Sequence, residues 1–350
     1  MVRFSDILKT RDFHRAGPTP SEEPTKKDNS LELHESQIIK TEDLDGLTDL
    51  ISTDPAVLKL ERHYDQFHAK AKDIRDRVKE NRGISHSPVL ALLHQILDRE
   101  LIDALYEYST LAIENSDLPS HVIAVTLASM KMGQGLGYDT KNLLRLGLAA
   151  FLENVGMYRI PEAVLTKKGR LTPEEIAVIR NHPETSAQIL GQMGSAFAWL
   201  SDVALQVHER SDGSGYPKGL KGSEISEYAS IIGIIDTYMA MIKNKPHRLK
   251  YLQTNAVKNI LEESKAKFPP RIVKEFLNQI SLFPINTYVR LNNKSIGRIV
   301  STDKAQPLRP FVEILFDGLG HRIEGGKIVN LAESPLLHIV DTMDQSELPA

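Results

Sequence analysis

The stretch "VHERSDGSGYPKGL", residues 207–220, gathers His208, Asp212, Tyr216 and Pro217 with three glycines. Glycines let a backbone approach a ligand closely, although Asp212-Gly213 by itself reads as a turn. The other side chains able to do chemistry are scattered. They are Asp117 and His121, four apart on one helix face; Glu153; His182 in "NHPE"; and Asp236 in "IIGIIDTYMAM". The chain has no cysteine. That excludes disulfides and thiolate ligands, so a metal centre must use imidazole and carboxylate, donors that suit iron, manganese or zinc. Each residue alone also has a structural explanation, since a lone histidine is more often hydrogen-bonded in a core than bound to metal. Asp236 fits that explanation least well. It interrupts a strongly apolar helix, and a charge there needs a partner or a cation.

Scattered ligands converge only if several helices point them inward. Val57, Leu60, Tyr64, Phe67, Ala71, Ile74 and Val78 alternate spacings of three and four, a heptad seam within residues 54–82. Such a seam either packs on its own chain or pairs two chains in a coiled coil, and Gly83 is placed to end it. Residues 88–115 and 121–137 read as further helices. "LTPEEIAVIR" opens with a capping box, Thr172 as cap, Pro173 at the first helical position and Glu175 three beyond the cap. Two more helices are expected around 225–242 and 252–280. From "TYVRL" onward the texture changes to alternating, β-branched runs separated by "NN", "GLG" and "GG". The expected fold is mainly α, a helical bundle with a small C-terminal β domain at 283–345. Arg290, Arg298 and Arg309 in that domain read as scattered surface cations rather than an anion-binding face. Residues 1–16 can form a short amphipathic helix, either a frayed terminus or a docking peptide. Residues 17–37, rich in Pro, Ser, Thr, Glu and Lys, complete a flexible N-terminal segment, 1–37.

Of 350 residues, 41% are apolar, enough for a core of this kind, and the formal net charge is −3. No positive excess points to a nucleic-acid polymer or an anionic membrane. No apolar run is long enough to span a bilayer, and the N-terminus lacks the apolar core of a signal peptide. A cytoplasmic protein is the expectation.

From His121 to Arg248 the chain resembles the HD-GYP family, helical metal-dependent phosphodiesterases that hydrolyse cyclic di-GMP. "FLENVGMYRIPEAVLTKKGRLTPEEIAVIRNHPETSAQIL" is similar to the family's LLHDIGKIGIP…LTxEE…HPxxG. "VHERSDGSGYPKGLKGSEIS" is similar to HHExxDGxGYPxGLxGxxI, and "IIGIIDTYMAMIKNKPHR" to the aspartate helix followed by RPYR. The resemblance implies an HD-type bundle over 116–282, preceded by a helical region at 38–115. It implies that Gly215, Tyr216 and Pro217 shape one wall of a cyclic di-GMP pocket, with Lys245 and Arg248 against the ligand phosphates. It implies a metal set drawn from Asp117, His121, Glu153, His182, His208 and Asp236, holding one or two ions, Fe or Mn ahead of Zn.

The departures are as specific as the matches. The family's His-Asp pair is here Glu153-Asn154, its following lysine is Met157, and the first histidine of its HHE motif is Val207. Glu153 can still be a ligand. Asn154 is neutral and offers one oxygen where the family has two anionic ones, Val207 deletes a ligand, and Met157 deletes a cation that would stabilise charge on the phosphate. The resulting expectation is a cyclic di-GMP signalling protein that binds the dinucleotide or protein partners, as a homodimer, with phosphodiesterase activity impaired or absent. The alternatives are an active phosphodiesterase with a variant metal site, and a purely structural scaffold.

Overall fold

The computed structural model describes residues 55–112, 117–167, 169–242, 253–263, 266–280, 283, 287–302, 306, 309–343 and 347–349. The N-terminal segment 1–37, Lys245 and Arg248 lie outside them. The helices are α1 (Pro55–Lys79), α2 (Ser87–Asp98), α3 (Ile102–Ala112), α4 (Leu118–Gly135), α5 (Thr140–Leu152) and α6 (Glu162–Leu165). There follow α7 (Pro173–Arg180), α8 (His182–Gly191), α9 (Ala198–Gln206), α10 (Glu227–Ile242), α11 (Gln253–Glu263) and α12 (Pro270–Gln279). A 3-10 helix, Glu153–Arg159, continues α5 without a gap.

The heptad seam is the inner face of α1. Tyr64, Phe67, Ala71, Ile74 and Val78 are all buried in the main core, and α1 packs on α3, α4 and the 3-10 helix. The seam is therefore consumed within the chain. Helix α4 runs through the middle of the bundle, with every residue from Pro119 to Gly133 buried. It packs against α1, α3, α5, α10 and α12, which is why "HVIAVTLASMKMG" carries so little polar surface. Helix α10 is the second buried helix, with Ile231, Ile232, Ile234 and Ile235 all inaccessible to solvent.

Two expected helices are each split. The 88–115 segment breaks at Arg99–Leu101, where Glu100 takes a φ of +54°; α3 then begins and buries Ile102 and Leu105. The 252–280 segment breaks before Pro270, which opens α12 at its first turn, where a missing N–H costs nothing.

The C-terminal strands are β1 (Tyr288–Leu291), β2 (Ile296–Ser301), β3 (Phe311–Phe316), β4 (Arg322–Asn330) and β5 (Ile339–Met343). They form one antiparallel sheet in the order β4-β3-β2-β1-β5. Strands β1 to β4 are a meander, and β5 returns to pair with β1, Tyr288 facing Met343. Val289, Leu291, Ile299, Val312, Ile314 and Leu331 form its core. Its arginines serve this domain's own structure. Arg298 pairs with Glu313 at 2.7 Å, and Arg309 donates to the Leu337 carbonyl at 2.7 Å.

Candidate metal and nucleotide site

Five of the six candidate metal ligands come from five places in the bundle. His121 lies in the first turn of α4 and Asp236 in the middle of α10. Glu153 sits where α5 tightens into the 3-10 helix. His182 opens α8, and His208 follows α9.

Glu153, His182 and His208 bring their donor atoms within 4.8 Å of one another. His182 Nε2 and His208 Nε2 are 2.9 Å apart. The Nδ1 of His182 donates to the Ile179 carbonyl at 2.6 Å. That bond fixes the tautomer and leaves the Nε2 lone pair facing the cluster. Glu153 is 1% exposed. Its Oε1 accepts from the Asn154 side-chain amide, and its Oε2 is buried with no hydrogen-bond partner. His121 Nε2 and Asp236 Oδ1 meet at 2.8 Å, both side chains buried, as a second pair beside the trio.

Burial sets the protonation of this cluster. It pushes the Glu153 carboxyl well above the usual carboxylate range, and the nearby Asp236 charge pushes the same way. It pushes His208 down to about 3, against the opposing pull of Asp236. His182 is lowered for the same reason. Two neutral imidazoles whose Nε2 atoms meet, His208 donating to His182 until a cation displaces that hydrogen, and a carboxylate with one unsatisfied oxygen are a donor set for one cation. A cation would satisfy the Oε2 lone pairs and remove the repulsion between Glu153 and Asp236.

Asp117 stands at the start of a helix in this structure. It is the N-cap of α4, its Oδ1 accepting from the Ser120 amide at 3.0 Å and the Ser120 hydroxyl at 2.8 Å, and it meets His68 at 3.2 Å. Val207 is fully buried among apolar neighbours, and Met157 is half-buried. Asp212 is an exposed turn residue, its Oδ1 accepting from the Ser214 amide at 2.9 Å.

Tyr216 stacks on His208, centroids 5.0 Å apart and planes 3° from parallel. The loop bends back so tightly that a Cβ on Gly215 would lie 2.4 Å from the Arg210 amide nitrogen and the Glu209 Cα. Two residues absent from the sequence-based set hold this shape. Glu209, 3% exposed, accepts from the Lys218 amide at 2.6 Å and the Leu220 amide at 3.0 Å. Arg210 donates to the carbonyls of Val207 at 3.0 Å and Glu209 at 2.7 Å, and to the Thr237 hydroxyl at 3.2 Å on α10. An acid inside a glycine-rich loop was the available signal, because a buried carboxylate there must collect backbone N–H groups.

A helical bundle that gathers histidines and carboxylates from separate helices beside a glycine loop is the architecture of an HD domain. Residues 101–272 match the HD domain family, and residues 288–350 match the KOW domain associated with HD domain. The chain is 29% identical over 214 residues to the cyclic di-GMP phosphodiesterase PdeB of Borreliella burgdorferi, covering 61% of this chain and 54% of that protein. It is 31% identical over 179 residues to a cyclic di-GMP phosphodiesterase of Thermotoga maritima, covering 51% and 47%. It thus spans about half the length of the curated relatives it matches. In fold it is similar to an HDG"Y"P protein from Bdellovibrio bacteriovorus, with a TM-score of 0.50 and 17% identity over 67% of this chain and 79% of that one. Residues 101–272 thus form an HD domain, and the relatives the chain matches support a place in the HD-GYP family. No helix among the described residues is long and apolar enough to cross a membrane.

Proposed function

We propose that the chain is a cyclic di-GMP signalling protein that binds the dinucleotide at the Gly215-Tyr216-Pro217 loop, with phosphodiester hydrolysis impaired or absent. The ligand class follows from relatives named as cyclic di-GMP phosphodiesterases. The observation that carries the loss of turnover is the Glu153–Asn154 contact. Where the family pattern has a histidine and an aspartate, the Asn154 amide donates to Glu153, so this junction offers one anionic group instead of two ligands.

Glu153, His182 and His208 would hold one divalent cation, which when bound supplies Lewis-acid polarisation of a phosphodiester oxygen. The chain's own residues do the rest. The Ile179 carbonyl orients His182, the Tyr216 ring flanks His208, and Glu209 holds the glycine loop in shape. Lys245 and Arg248 are proposed as cations for the ligand phosphates. Protein partners are proposed as the output.

A second reading, slow metal-dependent hydrolysis with Glu153 in place of the family's histidine, is favoured by the unpartnered Glu153 Oε2. Calorimetry with cyclic di-GMP on the wild type and Tyr216→Ala, with turnover followed on the same protein, separates the two. Binding lost in Tyr216→Ala without product from the wild type supports the binding protein. Product that disappears in both His208→Ala and Asp236→Ala supports the enzyme.

A further inference from the structure

Arg180 ends α7, and its guanidinium lies over the Tyr216 ring, 5.2 Å from the centroid. Tyr216 stacks in turn on His208, and His208 meets His182. A run of ring contacts therefore leads from an exposed cation through the half-buried His208 to the buried His182. Two guanidinium groups act electrostatically on Tyr216, those of Arg210 and Arg180. Arg210 is committed, its Nη1 and Nη2 donating to two carbonyls and a hydroxyl that shape the loop. Arg180 is exposed and enters no ion pair among the described residues. Its helix is fixed at the other end by the Thr172–Glu175 capping box, with Lys167 Nζ on Glu175 at 2.7 Å. The cation is thus presented on a short, anchored element with its ring partner already in place, and little side-chain freedom is left to lose on binding.

The interior of the site is acidic, with Glu153 and Asp236 close enough to raise each other's cost of ionisation. A phosphodiester entering it brings more negative charge. Met157 provides no cation near Glu153 to offset that charge.

We propose that Arg180 is a ligand-binding residue of this site, its guanidinium taking a phosphodiester oxygen of a dinucleotide seated against Tyr216. The proposal rests on the reading that the site takes a cyclic dinucleotide. It is tested on the full metal-loaded chain with Arg180→Gln and Arg180→Lys, by titrating cyclic di-GMP and, separately, inorganic phosphate. Losing one charge-assisted hydrogen bond should weaken cyclic di-GMP binding by about 10-fold or more in Arg180→Gln. The loss should shrink as NaCl is raised, and Arg180→Lys should recover part of it. Metal content and Tm should stay at wild-type values, because the side chain is exposed. Wild-type affinity in Arg180→Gln overturns the proposal, and so does a fall in its metal content or Tm, which would make Arg180 structural. If the wild type binds no cyclic di-GMP, the reading of the site fails by itself. Phosphate binding that depends on Arg180 then still supports the anion contact, whereas phosphate binding that is absent or unchanged in Arg180→Gln overturns it.

Discussion

Glu153 is almost fully buried, with one oxygen bonded to a neutral amide and the other to nothing. Without a cation, its ionisation is opposed by burial and by Asp236. Glu153→Gln keeps the shape and removes the charge. The variant should bind no metal, and its metal-free form should melt at the wild-type temperature or above it; metal analysis and melts with and without chelator check both. An unchanged metal content would exclude Glu153 as a ligand. Glu209 is the opposite case, a carboxylate fully used by two backbone amides. Glu209→Ala leaves both unpaired inside the loop and should cost about 2 kcal/mol or more in denaturant unfolding, with weaker cyclic di-GMP binding. At this scale residue type and motif singled out His182, His208 and Tyr216, side chains that the fold brings into contact. The capping of α4 by Asp117 was not legible, because spacing alone does not tell a helix cap from a helix-face ligand.

The site depends on how two elements meet. The 3-10 helix carrying Glu153 lies against the start of α8, and the Gly156 amide donates to the Ser186 hydroxyl at 2.8 Å. A Cβ on Gly156 would lie 2.2 Å from the His182 carbonyl oxygen. Gly156→Ala should therefore push Glu153 and His182 apart. It should cost about 1–3 kcal/mol of stability, as overpacked contacts do, and lower metal content further than Thr172→Ala. The latter removes only the α7 cap, at about 1 kcal/mol. Denaturation and metal analysis on the two variants compare them directly. The capping box was legible because its signal is local. The break at Glu100 was not, since "DREL" contains no glycine or proline and the turn is imposed by the packing of Ile102 and Leu105. The break before α12 did have a local sign, Pro269-Pro270, in a segment whose apolar spacing otherwise reads as one continuous helix.

Over the whole molecule, the N-terminal seam, the central α4 and α10 make one core, and the β domain adds a second, with Phe283 packed against both. A heptad pattern cannot say whether its partner is the same chain or another. Here α3, α4 and the 3-10 helix fill the seam. Phe67→Ala should thus cost about 3–5 kcal/mol, seen as a lower Tm, without a change in the mass measured by light scattering. The mainly helical bundle and the strand-rich C-terminus were legible from periodicity. The order β4-β3-β2-β1-β5 was not, because the return of β5 to β1 depends on a pairing distant in sequence.

In the function proposed here the chain keeps the HD fold, and its metal centre holds fewer ligands than the family pattern. The most direct test is Fe, Mn and Zn per chain in protein purified with and without air, with cyclic di-GMP turnover measured on the same samples. No more than one ion per chain is expected, lost in His182→Ala and His208→Ala, with little or no turnover. Two ions per chain with rapid hydrolysis would contradict it, and would show that Glu153 and Asn154 sustain the family's chemistry.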